Sequence, residues 1–492
     1  MSETYSFAVD VLLVSAAGLL ALLSNRLTER TRIPAPLIVL VAAAVVVKAV
    51  PDLHAPPERI VEQLVTVALV LILFDGGMHI GWSRFRAAAK PIAVVGVAGT
   101  FLTAAGAAVF LHAAVGLDWY VALLVATAVS PTDPAVVFSV LGQREISGRS
   151  GTILEGESGA NDPVGIALMA GLIAAHGVGV GPFGRVAGEF GLQMVVGGAV
   201  GLIGGRALLW FMRAVPLPSE SLYPLRTAVS AFLVFAAATL LHGSGFLAVF
   251  VAGILLGDAR APYKREIERF QSALASLGEV VAFGVLGLTI DLGTLARADV
   301  WVPGLLLGLL LAVVIRPVLV GICLAPWGLS RGENAFMLLA GLKGAVPILL
   351  GGSILDAALP DAQRLYGIVV VVVIFSVAVQ GTLVPTLARV LHVPMRAVQP
   401  EPWALGLRLR SEPDGAQQIT VAAGAPADGR RIDELHELPE DSWISLVVRD
   451  DRPLPVRDDT RLRAGDRVLV LATPDAQDRV LAIFGRAATA GG

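Results

Sequence analysis

Carboxylates set within apolar sequence are the groups in this chain best placed to do chemistry. The fullest run is Glu155-Gly156-Glu157-Ser158-Gly159-Ala160-Asn161-Asp162-Pro163. Helical spacing puts Ser158 and Asp162 on one face and Glu157 and Asn161 on the next. A second run, Ser130-Pro131-Thr132-Asp133-Pro134, carries a carboxylate among Ala, Val and Leu. Its two prolines remove backbone donors and argue against a continuous helix. A third, Gly341-Leu342-Lys343-Gly344-Ala345-Val346-Pro347, is again interrupted by Gly and Pro and again holds a charge. An ionised side chain at the centre of a bilayer costs at least about 2.5 kcal/mol. Such groups must therefore be paired, hydrated or protonated part of the time, and Lys343 is the opposite charge that Glu157 is expected to meet. An anionic site in low dielectric is relieved by either a proton or a dehydrated cation, so the two compete for it. If only the neutralised carboxylate moves past a hydrophobic gate, the protein exchanges one for the other. Asp75, in Leu73-Phe74-Asp75-Gly76-Gly77, is an accessory candidate. Glu279, Asp291 and Arg316 read as groups near span ends that snorkel or pair locally.

The elements that must position these residues follow from composition. Of 492 residues, 55% are hydrophobic and only 16% charged, with 53 Gly. Soluble domains carry about 25% charged residues, so the chain reads as a polytopic membrane protein whose small residues let helices approach closely. Disorder, collagen and disulfide scaffolds are excluded, and a net charge of −3 offers no basic surface for nucleic acid. Thirteen apolar segments, the ninth of them short of bilayer length, are expected: 7–24, 33–50, 60–79, 91–114, 119–141, 152–175, 188–211, 222–242, 244–257, 275–292, 302–324, 334–355 and 365–391. The broken runs fall on the fifth and twelfth, and paired interruptions point to a midplane site. Clusters such as Arg84, Arg86 and Lys90 sit in alternate connections, sixteen Lys/Arg against five. That bias predicts an external amino terminus, retained as a span rather than cleaved, and a cytoplasmic carboxyl terminus. The single Cys323 forms no intramolecular disulfide, and no histidine spacing suits a metal.

Beyond residue 394 the phase changes. Residues 395 to 492 hold 13 of the 37 Lys/Arg and 16 of the 40 Asp/Glu. Runs 418–422, 443–449 and 466–472 read as short strands and 475–485 as a helix. The expected division is a transmembrane domain over 1–394, a linker over 395–402, a small α/β domain over 403–486 and a disordered end over 487–492.

Gly156-Glu157-Ser158-Gly159 also fits the G-x-S-G pattern of intramembrane serine proteases, with Ser158 as nucleophile. That reading requires a histidine at similar depth and leaves Asn161 and Asp162 without a role. A channel would want a carbonyl filter, which is absent.

Thr132-Asp133-Pro134, Glu157-Ser158-x-x-Asn161-Asp162-Pro163 and Gly341-Leu342-Lys343-Gly344-Ala345 occur in this order. At these motifs the chain resembles monovalent cation/proton antiporters of the NhaP and sodium/proton exchanger type over residues 7 to 392. The resemblance implies an all-α membrane fold of about thirteen helices with inverted repeats, in which the broken fifth and twelfth spans cross, and a homodimer. It implies a secondary transporter rather than an enzyme, exchanging cytoplasmic K⁺ or Na⁺ for external H⁺ across a bacterial-type inner membrane in pH, ion and volume homeostasis. Asp162 would carry the cation or proton, assisted by Asp133, Ser158 and the Thr132 backbone. Asn161 would mark the Asn-Asp class, whose exchange is electroneutral, and Glu157 would pair with Lys343, which stands where relatives commonly have Arg. A strictly Na⁺-selective exchanger is the alternative. The tail resembles the RCK-C (TrkA-C) module through Arg463-Ala464-Gly465-Asp466-Arg467-Val468-Leu469-Val470. That likeness implies regulation by a cytosolic nucleotide or cyclic dinucleotide, and it leans the substrate toward K⁺. No resident cofactor is expected.

Overall fold

A computed structural model describes residues 19, 34–49, 56–141, 144–175, 177, 180–259, 261–357, 359–397, 416–439, 442–449, 452–473 and 476–485. The chain divides into two compact units, residues 1–398 and 399–492.

In the first unit the helices are α1 (Ala35–Ala49), α2 (Glu58–Ile80), α3 (Trp82–Val115), α4 (Trp119–Ala128), α5 (Pro134–Leu141), α6 (Arg149–Ala175) and α7 (Val180–Ala214). They continue with α8 (Leu222–Leu240), α9 (Gly245–Gly257), α10 (Lys264–Leu288), α11 (Ala298–Trp327), α12 (Arg331–Leu339), α13 (Ala345–Asp356) and α14 (Ala362–Val390). Seven of these are long and apolar enough to cross a membrane: α2, α3, α7 from Phe183, α8, α10, α11 and α14. The second to thirteenth expected segments each fall on a helix or, for the fifth and twelfth, on a helix pair. The first, 7–24, lies outside the described residues except for Leu19.

Helix α6 is the informative exception. Its 27 residues would rise about 40 Å, yet its charged run makes it less apolar over a bilayer-length stretch than the seven spanning helices. It is instead enclosed, with Glu157, Asn161 and Asp162 all buried. Polar sequence of that length is stable inside a bundle of apolar helices only where its side chains find partners. Close approach elsewhere depends on glycine: a Cβ on Gly77 of α2 would overlap the Phe250 carbonyl of α9, and one on Gly253 would overlap Phe74. Local π turns interrupt α11 at Leu311–Val320 and α14 at Ser376–Gln380, the stretches that carry Arg316, Ser376 and Gln380.

Two short strands were not expected. β1 (Arg144–Ile146) pairs antiparallel with β2 (Met395–Ala397), with Ile146 opposite Met395. The first three residues of the expected linker are therefore paired to the connection between α5 and α6, and the unit runs past Pro394 to Val398.

The second unit is a four-stranded antiparallel sheet in the order β3-β6-β4-β5, from β3 (Ala416–Thr420), β4 (Trp443–Arg449), β5 (Arg452–Leu454) and β6 (Arg467–Leu471). Helix α15 (Gln477–Phe484) buries Val480, Ile483 and Phe484 with Ile419, Val447, Val468 and Val470. Alternate burial along β6 is the half-buried pattern of a sheet with one solvated face. Arg449 donates through Nε and Nη2 to Asp466, both at 2.7 Å, and the Arg463 amide donates to the same carboxylate. The three expected strands and the helix stand within two residues of their expected bounds, whereas β5 was not foreseen. The remaining linker residues, 403–415 and the carboxyl end beyond 485 lie outside the described residues.

Candidate ion-binding site

The fifth and twelfth segments break over equal stretches, 129–133 and 340–344, and the breaks meet. The Asp133 amide donates to Leu342 O at 2.8 Å, and Lys343 Nζ donates to Ser130 O at 2.9 Å and Pro131 O at 3.1 Å. An interrupted helix leaves carbonyls at one end and amides at the other, with partial charges of opposite sign. Three of the four ends are matched. Lys343 holds the carbonyls past α4. Arg316 Nη2 and Nε donate to Met337 O and Leu338 O, and Gln380 Nε2 donates to Leu339 O, at the end of α12. At the start of α5, Asp133 Oδ1 accepts from the Ala135 amide at 2.8 Å. Ser376 Oγ donates to Gln380 Oε1 and accepts from the Lys343 amide. A Cβ on Gly344 would overlap the Asp133 carboxylate, so the contact between the two breaks requires glycine there.

Helix α6 passes beside this junction. Asn161 Nδ2 donates to Thr132 Oγ1 at 2.7 Å, tying α6 to the first break. Asp162 is 7% exposed and Ser158 6%, one turn apart on the same face. Among the described residues the Asp162 carboxylate has no hydrogen bond or ion-pair partner, and Asp133 and Lys343 are the charges that act on it. The arrangement thus gathers Thr132, Asp133, Ser158, Asn161, Asp162 and Lys343 within one junction. It can hold a proton or a monovalent cation through oxygen donors, since a buried carboxylate without a partner is completed by either.

Two expectations are corrected. Glu157 does not pair with Lys343: its Oε1 lies 2.7 Å from Arg316 Nη2, both side chains being almost wholly enclosed. The physical reason is geometric, since the planar guanidinium fork serves the carboxylate and two α12 carbonyls at once, while the Lys343 ammonium is drawn to the Ser130 and Pro131 carbonyls. Arg316, read as a snorkelling residue, is 3% exposed and belongs to the interior. Glu279 also lies inward, with its Oε1 shut from solvent and unpartnered and the Asp133 charge acting on it. Asp291 does pair locally, capping the turn at Gly293 and Thr294; these hydrogen bonds, led by that from the Thr294 hydroxyl, hold its carboxyl below the usual value. Asp75 stands apart from the junction, accepting from Ser272 Oγ at 2.9 Å and lying 3.3 Å from His79 Nδ1. Ser376 and Gln380 escaped notice, although they are polar residues within the apolar run of the last span.

Paired broken helices that meet inside an apolar bundle define a secondary active transporter. The family model described as "Sodium/hydrogen exchanger, transmembrane" matches residues 16–390, and the TrkA-C domain model matches 416–485. The chain belongs to the sodium/hydrogen exchanger family and carries a TrkA-C domain. It is 32% identical over 410 residues to the K(+)/H(+) antiporter NhaP of Alkalimonas amylolytica, covering 82% of this chain and 71% of the relative. It is 30% identical over 439 residues to the K(+)/H(+) antiporter NhaP2 of Shewanella sp. (strain MR-4), covering 86% and 73%. It is 27% identical to the low-affinity Na(+)/H(+) antiporter NhaS1 of Synechocystis sp., covering 77% and 74%. Among solved structures, the sodium proton antiporter MjNhaP1 of Methanocaldococcus jannaschii superposes with a TM-score of 0.65 at 21% identity, covering 77% of this chain and all of that one. The chain is therefore a multi-pass membrane cation/proton antiporter and not an enzyme. The protease reading of Ser158 falls with that assignment.

Proposed function

We propose that this antiporter exchanges cytoplasmic K⁺ for external H⁺ by competition of the two for Asp162. The observation that carries the reading is the buried Asp162 carboxylate, without a partner among the described residues, beside Ser158 and the break at Thr132 and Asp133. Asn161 fixes the first break through Thr132. Glu157 with Arg316, and Lys343 separately, hold the broken helices in place. An empty anionic site is unfavourable in low dielectric, so the carrier returns loaded with either ion. K⁺ is favoured over Na⁺ by the relatives named K(+)/H(+) antiporters. The division into a membrane domain ending near Val398 and a TrkA-C domain is taken as functional, with the latter sensing a cytosolic nucleotide or cyclic dinucleotide. The chain would act as a homodimer in an inner membrane, amino terminus outside and tail in the cytoplasm, in ion and pH homeostasis.

The test is proton movement in proteoliposomes with K⁺, Na⁺ and Li⁺ titrated separately. Wild type should respond to K⁺ at lower concentration than to Na⁺. The Asp162→Asn variant, folded in detergent, should give no cation-driven proton movement. Retained exchange in that variant would sink the assignment of Asp162, and a preference for Na⁺ would replace the substrate while keeping the mechanism.

A further inference from the structure

Helix α10 carries a polar face that the exchange mechanism above does not use. Ser272 donates to Asp75 of α2 at 2.9 Å. Glu279 follows seven residues later, two turns along the same face and about 10 Å further on. Between them Gly278 brings α10 against the α2 backbone at Ala68, itself two turns from Asp75. The two helices therefore run side by side from the Asp75 level to the Glu279 level. Helix α10 also packs on α13, which begins next to Gly344, the residue against which the Asp133 carboxylate sits. The Asp133 charge acts on Glu279. Glu279 is only part-buried as a residue, yet its Oε1 is shut from solvent and has no partner among the described residues.

A carboxylate about 22 Å along a membrane helix from its start at Lys264 is costly unless something completes it. Among the described residues none completes its enclosed Oε1. From these positions we infer that Glu279 is a further cation-binding residue, a relay carboxylate on the route between Asp75 and the Asp133–Asp162 junction. It takes a partly hydrated monovalent cation from the Asp75 and Ser272 level and presents it to the junction. The inference rests on the reading of Asp162 as the exchange site. It differs from that reading in what it governs: Glu279 sets the affinity with which the cation is delivered, while Asp162 sets whether exchange occurs.

The experiment compares wild type, Glu279→Gln and Glu279→Asp in proteoliposomes, titrating K⁺ and Na⁺ and following proton movement, with Asp162→Asn as the inactive control. Removing the relay charge should raise the apparent KM for the cation about fivefold or more, the low end of ordinary coupling between sites, with the maximal rate changed by no more than about twofold. Glu279→Asp, which keeps the charge, should stay within about threefold of the wild-type KM. A wild-type KM in Glu279→Gln overturns the inference, as does a Glu279→Asp variant impaired as severely as Glu279→Gln, which would mark a packing role. If Glu279→Gln is not recovered folded, Glu279→Asp decides by the same criterion. Exchange persisting in Asp162→Asn would instead overturn the site reading, whatever the Glu279 variants do.

Discussion

At residue 157 a carboxylate meets a guanidinium with both groups almost wholly out of solvent. Such a pair contributes little net stability over apolar residues of the same shape, because both charges are desolvated, but removing one partner leaves the other buried and uncompensated. Arg316 has a second task, since it also holds the Met337 and Leu338 carbonyls. Arg316→Ala should therefore cost about 3–5 kcal/mol of stability, measurable as a fall in the detergent melting temperature. Arg316→Lys should recover only part of that loss, because an ammonium lacks the fork that serves three acceptors. Equal stability of the Lys and wild-type proteins would show that the α12 carbonyls do not depend on the guanidinium geometry. Asp162 is the contrasting case: a buried carboxylate with no partner among the described residues, which on the proposed reading the transported ion completes.

The interrupted helices were readable in the sequence because Pro and Gly act locally, and here they come in close pairs: Pro131 with Pro134 and Gly341 with Gly344 weaken the same helical turn twice over. The face shared by Ser158 and Asp162 was readable for the same reason, since it needs only the helical period. Which cation meets Glu157 was not. Arg316 stands 159 positions away, and the only local sign of it was a charge before Pro317 in an otherwise uncharged run from 302 to 324. A pairing of that range is decided by tertiary packing, as is the β1–β2 ladder between two three-residue strands. The break itself makes a prediction at this level. Lys343→Ala would leave the Ser130 and Pro131 carbonyls buried and without their donor, a loss of about 1–3 kcal/mol. Stability in detergent should fall while the K⁺ to Na⁺ preference of the residual exchange stays as in wild type. An unchanged melting temperature with altered preference would move Lys343 from scaffold to selectivity.

For the whole chain, the proposed regulation requires a route from a separate sheet domain to the candidate site. The chain leaves the membrane unit through β2, and β2 is paired with β1 in the connection between α5 and α6. Helix α5 begins at the Asp133 cap, and α6 carries Ser158, Asn161 and Asp162. Any pull on residue 398 is thus applied first to the connection that joins the two halves of the site, through backbone hydrogen bonds rather than through a distant surface. A ligand bound by the tail can shift exchange only to the extent that it favours one arrangement of that connection over another. Truncation after Val398 keeps the ladder and removes the TrkA-C domain, so on the proposed reading exchange should persist with an altered response to pH and K⁺. Truncation after Pro394 removes β2 as well and should cut the maximal rate further, by about tenfold if the ladder holds α5 and α6 in register at the usual energy of a few backbone hydrogen bonds. Paired measurements of proton flux on the two truncations separate the cases. If both behave as the full chain does, the tail serves assembly alone; if both are impaired alike, the tail acts without the β1–β2 ladder.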